Sequence, residues 1–184
     1  MESLENQLLI AMPSLQDPYF HKTVTYICEH NDDGAMGLVI NIPVRITLNE
    51  LLAQIDADKD NTEHLSQRVL AGGPVSPDRG FVLHNNQQGW ESSLALGNDI
   101  MITTSKDILQ ALGTDNAPQQ FMVALGYAGW GAGQLEEELK QNSWLTTTAD
   151  KEILFDTPIE LRWQKAAEKL GIDLGHLSSE VGHA

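Results

Sequence analysis

The chain is poor in cysteine, in basic residues and in long apolar runs, and each shortage excludes a class of protein. One cysteine, Cys28, in 184 residues rules out an intrachain disulfide or a multi-cysteine zinc site, which suits a reducing compartment. Against 26 Asp and Glu there are only 11 Lys and Arg, for a formal charge of −15. Arg45, Arg68, Arg79 and Arg162 are scattered and form no stripe. Nucleic-acid affinity rests largely on cations that displace phosphate counterions, so this composition argues against direct DNA binding. The longest early apolar run, Leu8 to Met12, is too short for a signal peptide or a membrane span, and no Lys or Arg cluster precedes it. A cytoplasmic protein without a membrane segment is the expectation.

What is present is globular composition, 41% hydrophobic and 20% charged, at a length that suits one domain covering residues 1–184. Residues 23–30 alternate, with Val24, Tyr26, Cys28 and His30 on one face and Thr23, Thr25, Ile27 and Glu29 on the other. Asn31-Asp32-Asp33-Gly34 supplies turn chemistry before the strand 37–42, which predicts an antiparallel hairpin. Further short strands are expected at 8–12, 69–71, 81–84, 93–96, 100–103, 121–127, 144–148 and 153–155, with a loop over 56–68. Thr47 and Glu50 form the pattern of a capping box ahead of Leu48, Leu51, Leu52 and Ile55 at helical spacing. A second helix follows Ser105 and ends at Gly113, and a third covers 134–141. The last begins with Thr157, Pro158 and Glu160, carries Trp163, Ala166, Ala167 and Leu170 on one face, and leads into a weakly patterned tail from Ile172. Connections this short favour a largely antiparallel α+β layout.

Chemistry-bearing motifs are sparse. Gly126-Tyr-Ala-Gly-Trp-Gly-Ala-Gly133 lies between an expected strand and helix, but it lacks the spacing of a dinucleotide or P-loop fingerprint, and Glu136, Glu137 and Glu138 would repel a phosphate. Neither Ser14 nor Ser76 sits in a nucleophile elbow, so no catalytic residue is nominated. Glu29, His30 and His84 stand at strand ends and, were they to converge beside Cys28, would offer metal ligands; hydrogen-bonded rim positions are the commoner fate of such histidines. Asp78-Arg79 reads either as an acid beside its orienting cation or as turn chemistry with a surface ion pair. Trp130 and Trp144 suit a partner hot spot or a core equally.

Several segments together carry a resemblance: Leu8-Leu-Ile-Ala-Met-Pro13, Asp17-Pro-Tyr-Phe20, Tyr26-Ile-Cys-Glu-His30, Gly34-Ala-Met-Gly37, Gly72-Gly-Pro-Val75, Leu83-His84, Gly126-Tyr-Ala-Gly-Trp130, Gly133-Gln-Leu-Glu136, Asn142-Ser-Trp-Leu145 and Gly182-His-Ala184. With these the chain resembles the bacterial YqgE/AlgH family over nearly its whole length, residues 56–68 and 86–98 excepted. The resemblance implies an α+β fold in which a bifurcated, mostly antiparallel β-sheet curls into a pseudo-barrel with helices packed outside. The family is described as a transcriptional regulator and brings no established catalytic residues, and for this chain no cofactor or metal is expected. The leading expectation is therefore a non-enzymatic binding protein acting through a protein partner. Its surface would gather the loops 13–21, 29–34, 72–80 and 127–134, with Glu29, His30, Asp78, Arg79, His84, Trp130 and Gln134 as binding residues. The alternatives are a small hydrolase or metal-assisted enzyme with a cleft around Glu29, His30 and His84, and a DNA-binding regulator.

Overall fold

The computed structural model describes residues 2–15, 17–55 and 67–172. The expectations for most of the 56–68 loop, for the tail beyond Ile172 and for Gly182-His-Ala184 lie outside those residues.

Among the described residues ten strands form one curled sheet: β1 (Gln7–Ala11), β2 (Val24–Asn31), β3 (Gly34–Val39), β4 (Pro43–Thr47), β5 (Arg68–Ala71), β6 (Val75–Asn85), β7 (Ser93–Gly97), β8 (Ile100–Thr103), β9 (Phe121–Gly131) and β10 (Trp144–Thr148). The main path runs β10-β1-β2-β3-β9-β6-β8-β7, and β4 pairs with β5, which pairs with β9. All pairings are antiparallel except β5 with β9. The hairpin at 31–34 forms as expected: Asn31 pairs with Gly34, and the Asp33 amide donates to Asn31 Oδ1 at 2.8 Å.

The sheet divides at β9. Its first half pairs with β6 and β5, and its last residues, Ala128–Gly131, pair with β3. Glycine makes that division possible. A Cβ on Gly73 would lie 2.0 Å from the Tyr127 carbonyl carbon, and one on Gly126, at φ 77°, would lie 2.4 Å from the Gly73 oxygen. No side chain fits between backbones that close. The 126–133 segment is thus mostly strand, running to Gly131, and not the strand-to-helix loop its glycines suggested: Gly126 serves a backbone crossing, and only Gly133, at φ 74°, belongs to the turn into the next helix.

Among the described residues three apolar clusters follow from the alternation of side chains along the strands. The concave one joins Leu8, Tyr26 and Leu38 of one limb to Phe81, Ile102 and Met122 of the other, and includes Ala166 and Ala167 of α4 (Arg162–Lys169). On the outer face of the β5-β6-β9 limb, Val69, Val82 and Val123 pack against α1 (Leu48–Ile55) and α2 (Lys106–Ala111). On the outer face of the β1-β2 limb, Leu9, Ile27 and Trp130 pack with α3 (Gln134–Lys140). The result is an α+β half-barrel.

Two further expectations are corrected. Residues 152–156 form a π-helical turn rather than a strand, since Asp150 nucleates it by accepting from the Ile153 amide through Oδ1 and from the Leu154 amide through its carbonyl. A short apolar run cannot by itself distinguish the two forms. Thr157 does not cap a helix through its side chain: its hydroxyl donates back to Glu152 O at 2.9 Å, Pro158 precedes a 3-10 turn at Ile159–Leu161, and α4 starts at Arg162. Arg162 is buried with its guanidinium donating to the Thr157 and Ile40 carbonyls, and burial lowers its pKa to about 10.

Candidate functional site

The alternation of β2 breaks after Ile27. Ile27 pairs with Gly37 and Glu29 with Met36, so Cys28 is an extra residue in a bulge. A bulge inverts every side chain beyond it. Cys28 and Glu29 consequently both open on the concave side, and His30 turns to the outer face, against the arrangement that strict alternation predicts. There the Leu4 amide donates to His30 Nδ1 at 2.9 Å, which leaves the Nε2 proton facing the Glu136 carboxylate in close contact. Ser3, Asn31, Asp32 and Gly133 complete a recess of about 260 Å³ around that pair.

The bulge forms one wall of a larger cavity of about 520 Å³ at the open end of the half-barrel. Cys28, Glu29 and Met36 face it from β2 and β3, Phe81 and Tyr127 from β6 and β9, and Ile102 and Leu94 from β8 and β7. Among the described residues β7 pairs only with β8, so an edge of the sheet ends beside this mouth. Leu94, directed inward beside Ile102, is 56% exposed as a consequence. Arg79 stands on the lip with its guanidinium 5.2 Å from the centre of the Phe81 ring. With Thr104 it also lines a second cavity of about 500 Å³ beneath α1, where Asp78, Lys106 and Leu51 lie. Asp78 and Arg79 are not loop residues: both belong to β6, in the irregular stretch where its register with β9 shifts between Val75 and Gly80.

Burial, with the nearby Glu29 and Glu5 charges adding to it, pushes the Cys28 thiol far above its ordinary pKa and keeps it protonated.

The remaining candidates, His84, Trp130 and Gln134, do not line this mouth: the first two are buried and Gln134 is exposed. His84 is 0% exposed. Its Nδ1 donates to Asn85 O at 2.7 Å, and its Nε2 accepts from the Thr103 hydroxyl at 2.7 Å, which is bonded in turn to Ser93 Oγ at 2.6 Å. Desolvation lowers the His84 pKa. Glu29, His30 and His84 therefore share no cleft. His84 pairs with Phe121 at one end of β9, whereas the partner of His30, Ala35, pairs with Trp130 at the other. Those ends are up to roughly 30 Å apart along the strand. Among the described residues no group of three or more His, Cys, Asp or Glu is placed to hold a metal.

Trp130 is 6% exposed and packs edge-on to Trp144, 6.2 Å between ring centres. Both indole N–H groups donate to Glu138 Oε1, at 3.2 and 3.0 Å. Gln134 donates to Glu138 Oε2 and accepts from the Gly131 amide, each at 3.0 Å. Trp130 and Gln134 thus fasten α3 to the sheet. Of the residues that line this mouth, Glu29 and Arg79 are single candidates in the sequence and Tyr127 falls in the 127–134 segment, whereas Met36, Phe81, Leu94 and Ile102 are not singled out, being apolar residues of ordinary strand pattern.

A family model described as AlgH-like (DUF179) matches residues 8–175. A UPF0301 protein of Colwellia psychrerythraea is 63% identical over all of both chains, and one of Vibrio cholerae is 54% identical over 99% of this chain and all of its own. The solution structure of the AlgH protein from Pseudomonas aeruginosa is 47% identical, with a TM-score of 0.81 over 99% of this chain and 96% of that one. The crystal structure of DIP2367 from Corynebacterium diphtheriae is 17% identical, with a TM-score of 0.76 over 97% and 92%, which is a likeness of fold alone. No helix among the described residues is long and apolar enough to cross a membrane.

Proposed function

The chain belongs to the AlgH-like, or YqgE/AlgH, family, and from that premise we propose that it is a non-enzymatic binding protein whose binding face is the open mouth of the half-barrel. The observation that carries the reading is the cavity between β2 and β7, with Leu94 held exposed over an apolar floor. Small-molecule sites have this volume range and this mixture of an apolar lining with few polar groups. Buried His84 and the protonated Cys28 thiol favour binding over chemistry at this site. The acid excess of 26 to 11 makes a protein, rather than operator DNA, the route by which the chain would affect transcription.

The test is to isolate the tagged full chain from its native cells under gentle conditions and to identify bound small molecules and proteins by mass spectrometry. Leu94→Asp serves as the comparison, since a charge on an exposed mouth residue spoils apolar contact without burdening the core. A bound molecule or partner that is present with the wild type and lost in the folded variant is the expected result. Identical profiles for the two proteins would overturn the assignment of the mouth.

A further inference from the structure

The composition makes Arg79 conspicuous. In a chain with 26 acids the few cations have abundant partners, and Asp78 is adjacent in sequence while Glu29 lines the same cavity. Yet the guanidinium forms no ion pair among the described residues, and its only close partner is the face of Phe81. The guanidinium carbon stands 5.2 Å from the centre of that ring, and its N–H edge makes no ion pair or side-chain hydrogen bond among the described residues. That edge is a planar fork of donors that matches a carboxylate.

Phe81 links this cation to the apolar floor. Its ring stacks edge-on with Tyr127, 5.9 Å between centres, and Met36, Ile102 and Leu94 continue the apolar surface across the cavity. Thr104 borders both cavities, as Arg79 does, and adds a hydroxyl near the cationic end. Glu29, exposed on the β2 side, works against an anion placed there and so restricts the negative group to the β6 side.

Resting on the reading of the mouth as the binding face, we infer that its ligand is a small amphipathic carboxylate, with the carboxylate on Arg79 and an apolar tail over Phe81, Met36 and Ile102. The preference for a negative head group comes from one residue.

Octanoate, octanol and octylammonium, which share a tail and differ in head group, test this by calorimetric titration of the full chain. Chemical-shift changes at Met36 and Ile102 locate the tail. Octanoate is expected to bind at least about tenfold more tightly than octanol, the value of one charged hydrogen-bonded contact, and to weaken as salt is raised. Octylammonium should bind least. Arg79→Gln, at an exposed position, should bring octanoate down to the level of octanol, and Arg79→Lys should retain part of the preference. Equal binding of octanoate and octanol, or a preference that survives in Arg79→Gln, would overturn the carboxylate assignment while leaving the mouth a binding site. Failure of all three probes to bind the wild type would overturn both.

Discussion

His84 occupies the middle of a hydrogen-bond chain that ties β6, β8 and β7 together, from the Asn85 carbonyl through the imidazole to the hydroxyls of Thr103 and Ser93. With the ring neutral Nε2 accepts from Thr103, whereas a protonated ring would carry its charge in a buried site and would have to donate there, reversing the hydroxyls. Burial lowers the folded-state pKa beneath the ordinary 6.5. The unfolded chain therefore binds the proton first as pH falls, and stability present above pH 6.5 is lost from there down to the folded-state pKa, by at most about 1.4 kcal/mol per pH unit. Urea unfolding at pH 7.0 and 5.5 should show this loss in the wild type and a smaller one in His84→Gln. At the same scale, one residue explains why the pattern of β2 misled: its alternation placed His30 beside Cys28, and the extra residue at the bulge sends them to opposite faces. A bulge depends on the partner strand, and no local periodicity reports it.

Among the elements, α3 has only seven residues, too few to be stable by itself, and owes its position to contacts with the sheet. Glu138 is the main fastening, as acceptor for two indoles at once. Glu138→Ala would leave two largely buried donors without an acceptor and should cost about 2–4 kcal/mol in chemical denaturation. Glu138→Gln keeps an amide oxygen and should lose much less. The crossing of β5 and β6 over β9 is tighter still. Ala at Gly73 would overlap the Tyr127 backbone, so Gly73→Ala should yield little soluble protein, whereas Gly80→Ala, with nothing within 4 Å of its new Cβ, should express normally. The hairpin at 31–34, the Thr47-Glu50 start of α1 and the Gly113 stop after α2 were all legible, because each rests on contacts within a few residues. The π-helical turn at 152–156 and the strand β4 were not, since a short apolar run such as Ile153-Leu154-Phe155 fits a strand as well as a helical turn and β4 depends on its pairing with the distant β5.

For the whole molecule, the charge of −15 is the dominant long-range property. Electrophoretic mobility shift with duplex DNA at low ionic strength should show no complex at micromolar protein, where electrostatic attraction to phosphate would be strongest. A shift that weakens steeply with salt would contradict this and would require a basic face that the scattered cations do not suggest. The amino-acid sequence by itself determined the family, the antiparallel α+β class, the acidic surface and the turns, since these depend on composition, on local backbone preference and on side-chain period. The tertiary structure alone decided which candidates meet. It put His84 and Trp130 inside, sent His30 to Glu136, and gathered Arg79, Phe81 and Leu94 around an open mouth. The reason is geometric: a curled sheet brings together residues from strands far apart in sequence, and one bulge and a few close glycine crossings set where its two limbs part.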